Sequence, residues 1–138
     1  MITNEGINHM LDVTLHNAAQ VATWYLVPFT TNYTPTDADT AAGFPGAAGE
    51  ATTQYTEGTR PVFVEGAASG QVTGNTGNEG IITAASTVTI YGVGLSSVST
   101  KGAVTGVLLC AARFPTPKTL EVGEQLKLSL AMAGINVP

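Results

Sequence analysis

The stretch VATWYLVPF, residues 21–29, carries an apolar or aromatic side chain at every position but Thr23, and no charge. As an extended strand it sends Ala22, Trp24 and Leu26 to one face and Val21, Tyr25, Val27 and Phe29 to the other. An antiparallel strand with one wet face alternates apolar with polar residues, whereas strands apolar on both faces belong to parallel sheets enclosed by helices. The rest of the chain lacks the alternating helices that such a sheet requires. One face is therefore assigned to the protein's own core, and the other is expected to meet something outside the chain.

Beyond this strand the later signals are also β. Runs at 60–65, 70–74, 80–84, 87–95, 106–114 and 124–132 read as strands separated by Gly, Ser and Thr turns. The last is the cleanest, since Leu126, Leu128, Leu130 and Met132 alternate with Gln125, Lys127, Ser129 and Ala131. GQVTGNTGNEG (70–80) predicts a hairpin. RFPTPK (113–118) predicts a stiff extended connection, because a residue preceding proline avoids the helical region. Seven or more strands imply a mainly β protein: one antiparallel β-sandwich domain of jelly-roll type over 1–138, its strands running from about 21 to 132.

A single short helix is expected at the N-terminus, over about 4–16, with Thr3 or Asn4 as its cap and Glu5 in the first turn. Ile7, Met10, Leu11 and Leu15 form its predicted buried stripe. The opposite face carries Glu5, His9, Asp12 and His16, and a trio of His9, Asp12 and His16 has the residue types of a transition-metal site. A solvated helix face accounts for the same residues, and no cofactor is called for.

The 25 residues TTNYTPTDADTAAGFPGAAGEATTQ (30–54) are longer than a structureless loop comfortably runs. Such a segment is expected to be functional or ordered by a partner, and Tyr33, Phe44, Pro35 and Pro45 give it stiff apolar contact points.

Composition narrows the function. Only 11% of the 138 residues are charged, where an ordinary soluble domain has about 25%. A surface so thinly charged associates readily unless partners cover it. The net charge of −5, with five scattered basic residues, argues against nucleic-acid binding, which needs clustered Lys and Arg. Residues 107–112 are the longest wholly apolar run and are too short to span a membrane. The N-terminal Met-Ile-Thr-Asn-Glu has no secretory pattern. Lone Cys110, among Leu108, Leu109, Ala111 and Ala112, reads as a small buried residue. No nucleophile elbow, phosphate loop or dinucleotide fingerprint occurs. Asp37 and Asp39 open like a calcium loop, but its Gly and distal Glu are missing.

ITNEGINHMLDV (2–13), TWYLVPFTTNYTPTDADTAA (23–42), EGTRPVF (57–63) and the long block 95–128 together resemble the cement, or decoration, proteins of short-tailed bacteriophages. That resemblance implies a jelly roll, bound as a homodimer to the major capsid protein on the outer surface of the virion, with no catalysis and no contact with nucleic acid or membrane. Trp24, Tyr25, Phe29, Tyr33 and Phe44 are then the expected contact aromatics, since interfaces favour such anchors. The alternative is a glycan-binding jelly roll of a head or tail fibre that stacks sugars on Tyr33, Phe44 and Tyr55. A metal-assisted hydrolase built on His9, Asp12 and His16 is a third reading.

Overall fold

The computed structural model describes residues 1–134. Its elements, in chain order, are α1 (Asn4–Leu15), β1 (Trp24–Phe29), α2 (Phe44–Ala48), β2 (Val62–Phe63), β3 (Val72–Gly74), β4 (Gly80–Thr83), β5 (Val88–Ser96), β6 (Leu108–Leu120), β7 (Gln125–Leu128) and β8 (Ala131–Ala133). The protein is mainly β, and its strand pairs are antiparallel. One four-stranded sheet has the order β2-β1-β5-β6, and two two-stranded ribbons, β3-β8 and β4-β7, accompany it. The pairs β5·β6, β4·β7 and β3·β8 are nested one outside the next, as when a long hairpin rolls up on itself. This is the winding on which jelly rolls are built, although the ribbons do not merge into a second continuous sheet.

β1 is enclosed by its own chain on both faces, which corrects the expectation of an outside partner. Leu26 joins the larger core with Ile82 of β4, Leu128 of β7 and Ile90, Val93 and Leu95 of β5. Val27 and Phe29 point the other way into a second cluster with Ala41, Phe44, Ala48, Leu108 and Ala111. The cover over that second face is the 30–54 segment itself. It is anchored by main-chain bonds from Thr30 to Gly49 (2.8 Å) and from Ala51 to Pro28 (2.9 Å), and it contains the unforeseen α2. β5 makes room for this third layer with glycine: a Cβ at Gly92 would run into the ring of Phe29, and one at Gly94 into the ring of Phe44. Phe29 and Phe44 meet edge to face at 5.6 Å.

Three further expectations are corrected. The 70–80 block is not a hairpin, because β3 pairs with β8 and β4 with β7. The apolar alternation of 124–132 offers each of them a more distant but better matched partner. That run is itself two strands. Buried Asn75 donates to the Leu128 carbonyl (3.0 Å) and accepts from the Leu130 amide (2.8 Å), so one side chain takes the backbone groups on either side of Ser129 and the strand changes partner there. RFPTPK belongs to β6 as a wide bulge: pairing passes from Gly92↔Arg113 directly to Ile90↔Lys118. Pro115 and Pro117 have no N–H to give a ladder, which is why the strand bows out here.

α1 begins where the cap chemistry places it, with the Thr3 hydroxyl accepting from the Gly6 amide at 2.9 Å. It is rotated from the predicted orientation, although Asp12 and His16 of the expected outer face are exposed. Ile7, Leu11 and Leu15 are 41%, 50% and 79% exposed, and of the predicted stripe only Met10 packs on the core. Gly6 is the buried residue, laid directly on the Leu109 backbone where any Cβ would collide. The Thr3 hydroxyl donates to the Leu108 carbonyl, and Glu5 accepts from the amides of Ala41 (2.8 Å) and Leu108 (2.7 Å). Polar bonds and a missing side chain seat the helix, so its apolar stripe is free to face outward.

Arg60 and Glu50 form the one ion pair among the described residues, and both side chains are about 1% exposed. Nε and one terminal nitrogen grip the two carboxylate oxygens at 2.8 and 2.7 Å. The other donors reach Ser96 Oγ (3.2 Å), the Val98 carbonyl (2.9 Å) and the Ala103 carbonyl (3.1 Å). All five guanidinium donors are thereby used. Arg60→Met should cost about 3–5 kcal/mol in urea unfolding, because Glu50 is left buried and unpaired. Combining it with Glu50→Leu should restore part of that loss; a double variant no more stable than Arg60→Met would contradict this account.

Candidate functional site

The structure separates the five expected contact aromatics. Phe29 and Phe44 are 0% and 1% exposed and hold the inner cover on β1, so neither is a contact residue. Their assignment as interface anchors is corrected for the same reason as that of β1: the chain supplies its own partner. Tyr33 packs edge-on against Phe44 at 6.1 Å and its hydroxyl donates to Asp39, which also accepts from the Thr36 amide. Asp39 is thus a turn residue, and bonding to it raises the Tyr33 pKa. Tyr25 is half-buried. Trp24 borders two grooves, one of about 290 Å³ with Val21, Phe63 and Met132 and one of about 240 Å³ with His9, Met10 and Val13. Of the five, Trp24, Tyr25 and Tyr33 keep partial access to solvent. The sugar platform of Tyr33, Phe44 and Tyr55 does not form, since Phe44 and Tyr55 are both buried.

His9, Asp12 and His16 do not converge. The His9 ring stands edge-on to Trp24 at 5.7 Å, and His16 caps the end of α1. No group of three or more His, Cys, Asp or Glu side chains suited to a metal ion occurs among the described residues. No described helix is long and apolar enough to cross a membrane.

Buried and partly buried polar groups serve architecture. Lys101 lies 3.6 Å from the centre of the Tyr55 ring and donates to the Tyr55 carbonyl at 3.0 Å, and partial burial lowers its pKa. The Tyr55 hydroxyl is buried without a hydrogen-bond partner in this structure, and burial pushes its pKa up. Partial burial would raise Glu57, but hydrogen bonds from the amide and hydroxyl of Thr83 outweigh it and hold the carboxyl below its usual value. These contacts tie the 50–60 segment to β4 and to the loop after β5.

The surface feature that sequence reasoning missed is the outward ridge of α1. Ile7, Leu11 and Leu15 follow one another at four-residue spacing, and on the helical wheel Asn4 and Asn8 lie beside them. The signal was present in the sequence as Gly6: a glycine four residues from Met10 marks the side of the helix that must lie closest to its support.

No protein-family model matches the chain, and no curated protein matches it in sequence.

Cys110 is buried beneath Ile2, its bridge partner, and burial pushes its thiol up to about 12. It should resist a thiol reagent near pH ~8 in the folded protein and react at once in denaturant. The unfolded thiol titrates near 9.0 and the folded one near about 12, so deprotonation favours the unfolded chain. The stabilisation is complete below pH 9 and is lost as pH climbs towards 12. Rapid labelling of the native protein would show that the strand opens locally.

Proposed function

We propose that this protein is a non-catalytic structural subunit that cements a larger shell, in the manner of the decoration proteins of short-tailed phages, by binding the outer face of the major capsid protein. The observation that carries the reading is the apolar ridge of Ile7, Leu11 and Leu15, held outward by a helix whose own seat is polar. An isolated subunit gains nothing from exposing three large aliphatic side chains in register. A docked one removes them from water at about 25 cal/mol per Å².

The rest of the surface agrees. It measures 7320 Å² and carries few charges, two of the fifteen being buried in the Arg60–Glu50 pair. If each copy meets one twin and one capsid patch of about 800 Å² apiece, roughly a fifth of that area is covered. Many weak footholds repeated over a closed shell suffice for stabilisation, because each copy binds only the assembled state.

Leu11→Glu with Leu15→Glu tests this. Both residues lie at the surface, so circular dichroism and melting temperature should stay close to wild type while co-sedimentation with capsids falls at least about tenfold. Heated particles should then release their contents as readily as particles lacking the protein. Equal capsid occupancy by the variant would remove the ridge from the interface, and equal particle stability with and without the wild-type protein would end the cement reading.

A further inference from the structure

The chain has five basic residues, and they are not evenly spread. Arg60 is locked in its buried pair and Lys101 is held over Tyr55. The three that remain, Arg113, Lys118 and Lys127, are the exposed ones, and all lie on β6 and β7. Between these strands runs a groove of about 340 Å³ lined by Phe114, Pro115, Thr116, Lys118, Leu126, Lys127 and Ser129. Its lining includes no Asp or Glu. Phe114 and Leu126 are only partly buried, one side of each packing on the main core. Neither lysine has a carboxylate within ion-pair distance among the described residues. Glu79 lies within electrostatic reach of Lys127 without forming an ion pair with it, and one of its carboxylate oxygens accepts from the Gly77 amide at 3.0 Å.

One wall of this groove is set in advance. Residues 114–117 bulge out of the β5·β6 ladder, and Pro115 and Pro117 fix their own backbone and that of the residue before each. The same prolines lack N–H groups, so this stretch cannot take an added strand through a regular ladder. Recognition must run through side chains: an apolar floor of Phe114, Pro115 and Leu126, with Lys118 and Lys127 also in the lining.

We propose that this groove binds a short acidic segment of a partner protein, one that sets an apolar side chain between carboxylates. Charge complementarity selects the occupant, since a groove bearing two unpaired lysines and no acid attracts anionic chain, while the protein's net charge of −5 repels extended polyanions such as nucleic acid. The proposal deepens the adhesive reading, and its identification of the partner as a capsid segment rests on that reading.

The test uses the whole protein, isotopically labelled, with a blocked peptide alternating Glu and Leu. A peptide alternating Lys and Leu and an oligothymidylate serve as controls. Amide resonances of Phe114, Thr116, Leu126 and Ser129 should shift on addition of the acidic peptide. Affinity should fall several-fold as salt rises through the physiological range, and about tenfold or more in Lys118→Glu with Lys127→Glu. Both lysines are exposed, so the fold should be unchanged; Lys118→Ala with Lys127→Ala should lose less. Shifts elsewhere, equal binding of the Lys peptide, tighter binding of the oligonucleotide, or an unchanged affinity in the charge-reversed pair would overturn the proposal. Capsid co-sedimentation of the same variant separates the two readings. Lost peptide binding with full capsid occupancy leaves the groove and removes the capsid segment as its partner. Peptide binding by a wild-type protein that never reaches the capsid leaves the groove and removes the cement function.

Discussion

A guanidinium and a carboxylate lie together where water does not reach, and the two-sided burial of β1 depends on them. Removing two charges from water costs several kcal/mol apiece, which attraction repays only when the remaining donors and acceptors are also bonded. Here they are, because Arg60 spends its other donors on Ser96, Val98 and Ala103. The pair therefore clamps two long connecting segments, 30–60 and 97–107, that share no ladder of their own. Glu50 follows directly on α2 and bridges to Phe29 through its backbone. Fixing its side chain fixes the lid of Ala41, Phe44 and Ala48 over the outer face of β1.

How much of this was legible follows from what each signal measures. Alternation reports which side chains share a face, and it located Val88–Ser96 to within a residue and the start of Gln125–Leu128, though it ran that strand on through Ala131–Ala133. Alternation says nothing about what covers a face. VATWYLVPF was read as facing a stranger because its true cover, the 30–54 segment, has no period: its apolar residues are small or isolated, and its order comes from main-chain bonds and a distant ion pair. Glu50 and Arg60 stand ten residues apart in the chain, a spacing that no helix or strand rule flags. Gly92 and Gly94 were the readable hint, since glycine inside a strand marks close approach from outside it.

The helix failed in the opposite sense, and for a related reason. Amphipathic reading assumes that the apolar stripe is what anchors a surface helix. α1 is anchored at its first turn by Thr3, Glu5 and Gly6, which take up main-chain groups of Leu108, Leu109 and Ala41. A charged residue in the first turn reads as a dipole partner from sequence alone, so the role of Glu5 as a bracket between two segments could not be seen. Once the helix is pinned from its polar side, Ile7, Leu11 and Leu15 have nowhere to go but out.

With β1 enclosed, the case for an outside partner moves from the strand to the surface, where two kinds of site divide the work. A neutral aliphatic ridge has no long-range field. Its contribution is area removed from water, which lengthens the life of a contact once made rather than hastening its formation. A groove lined by two lysines would do the converse in the proposed reading, drawing an acidic segment in while contributing little net affinity through exposed charges. Under the proposed cement function the two would combine on a repeating shell, because orientation by the groove would raise the local concentration of the ridge at its own foothold, and each copy would then need only modest affinity at either place to stay.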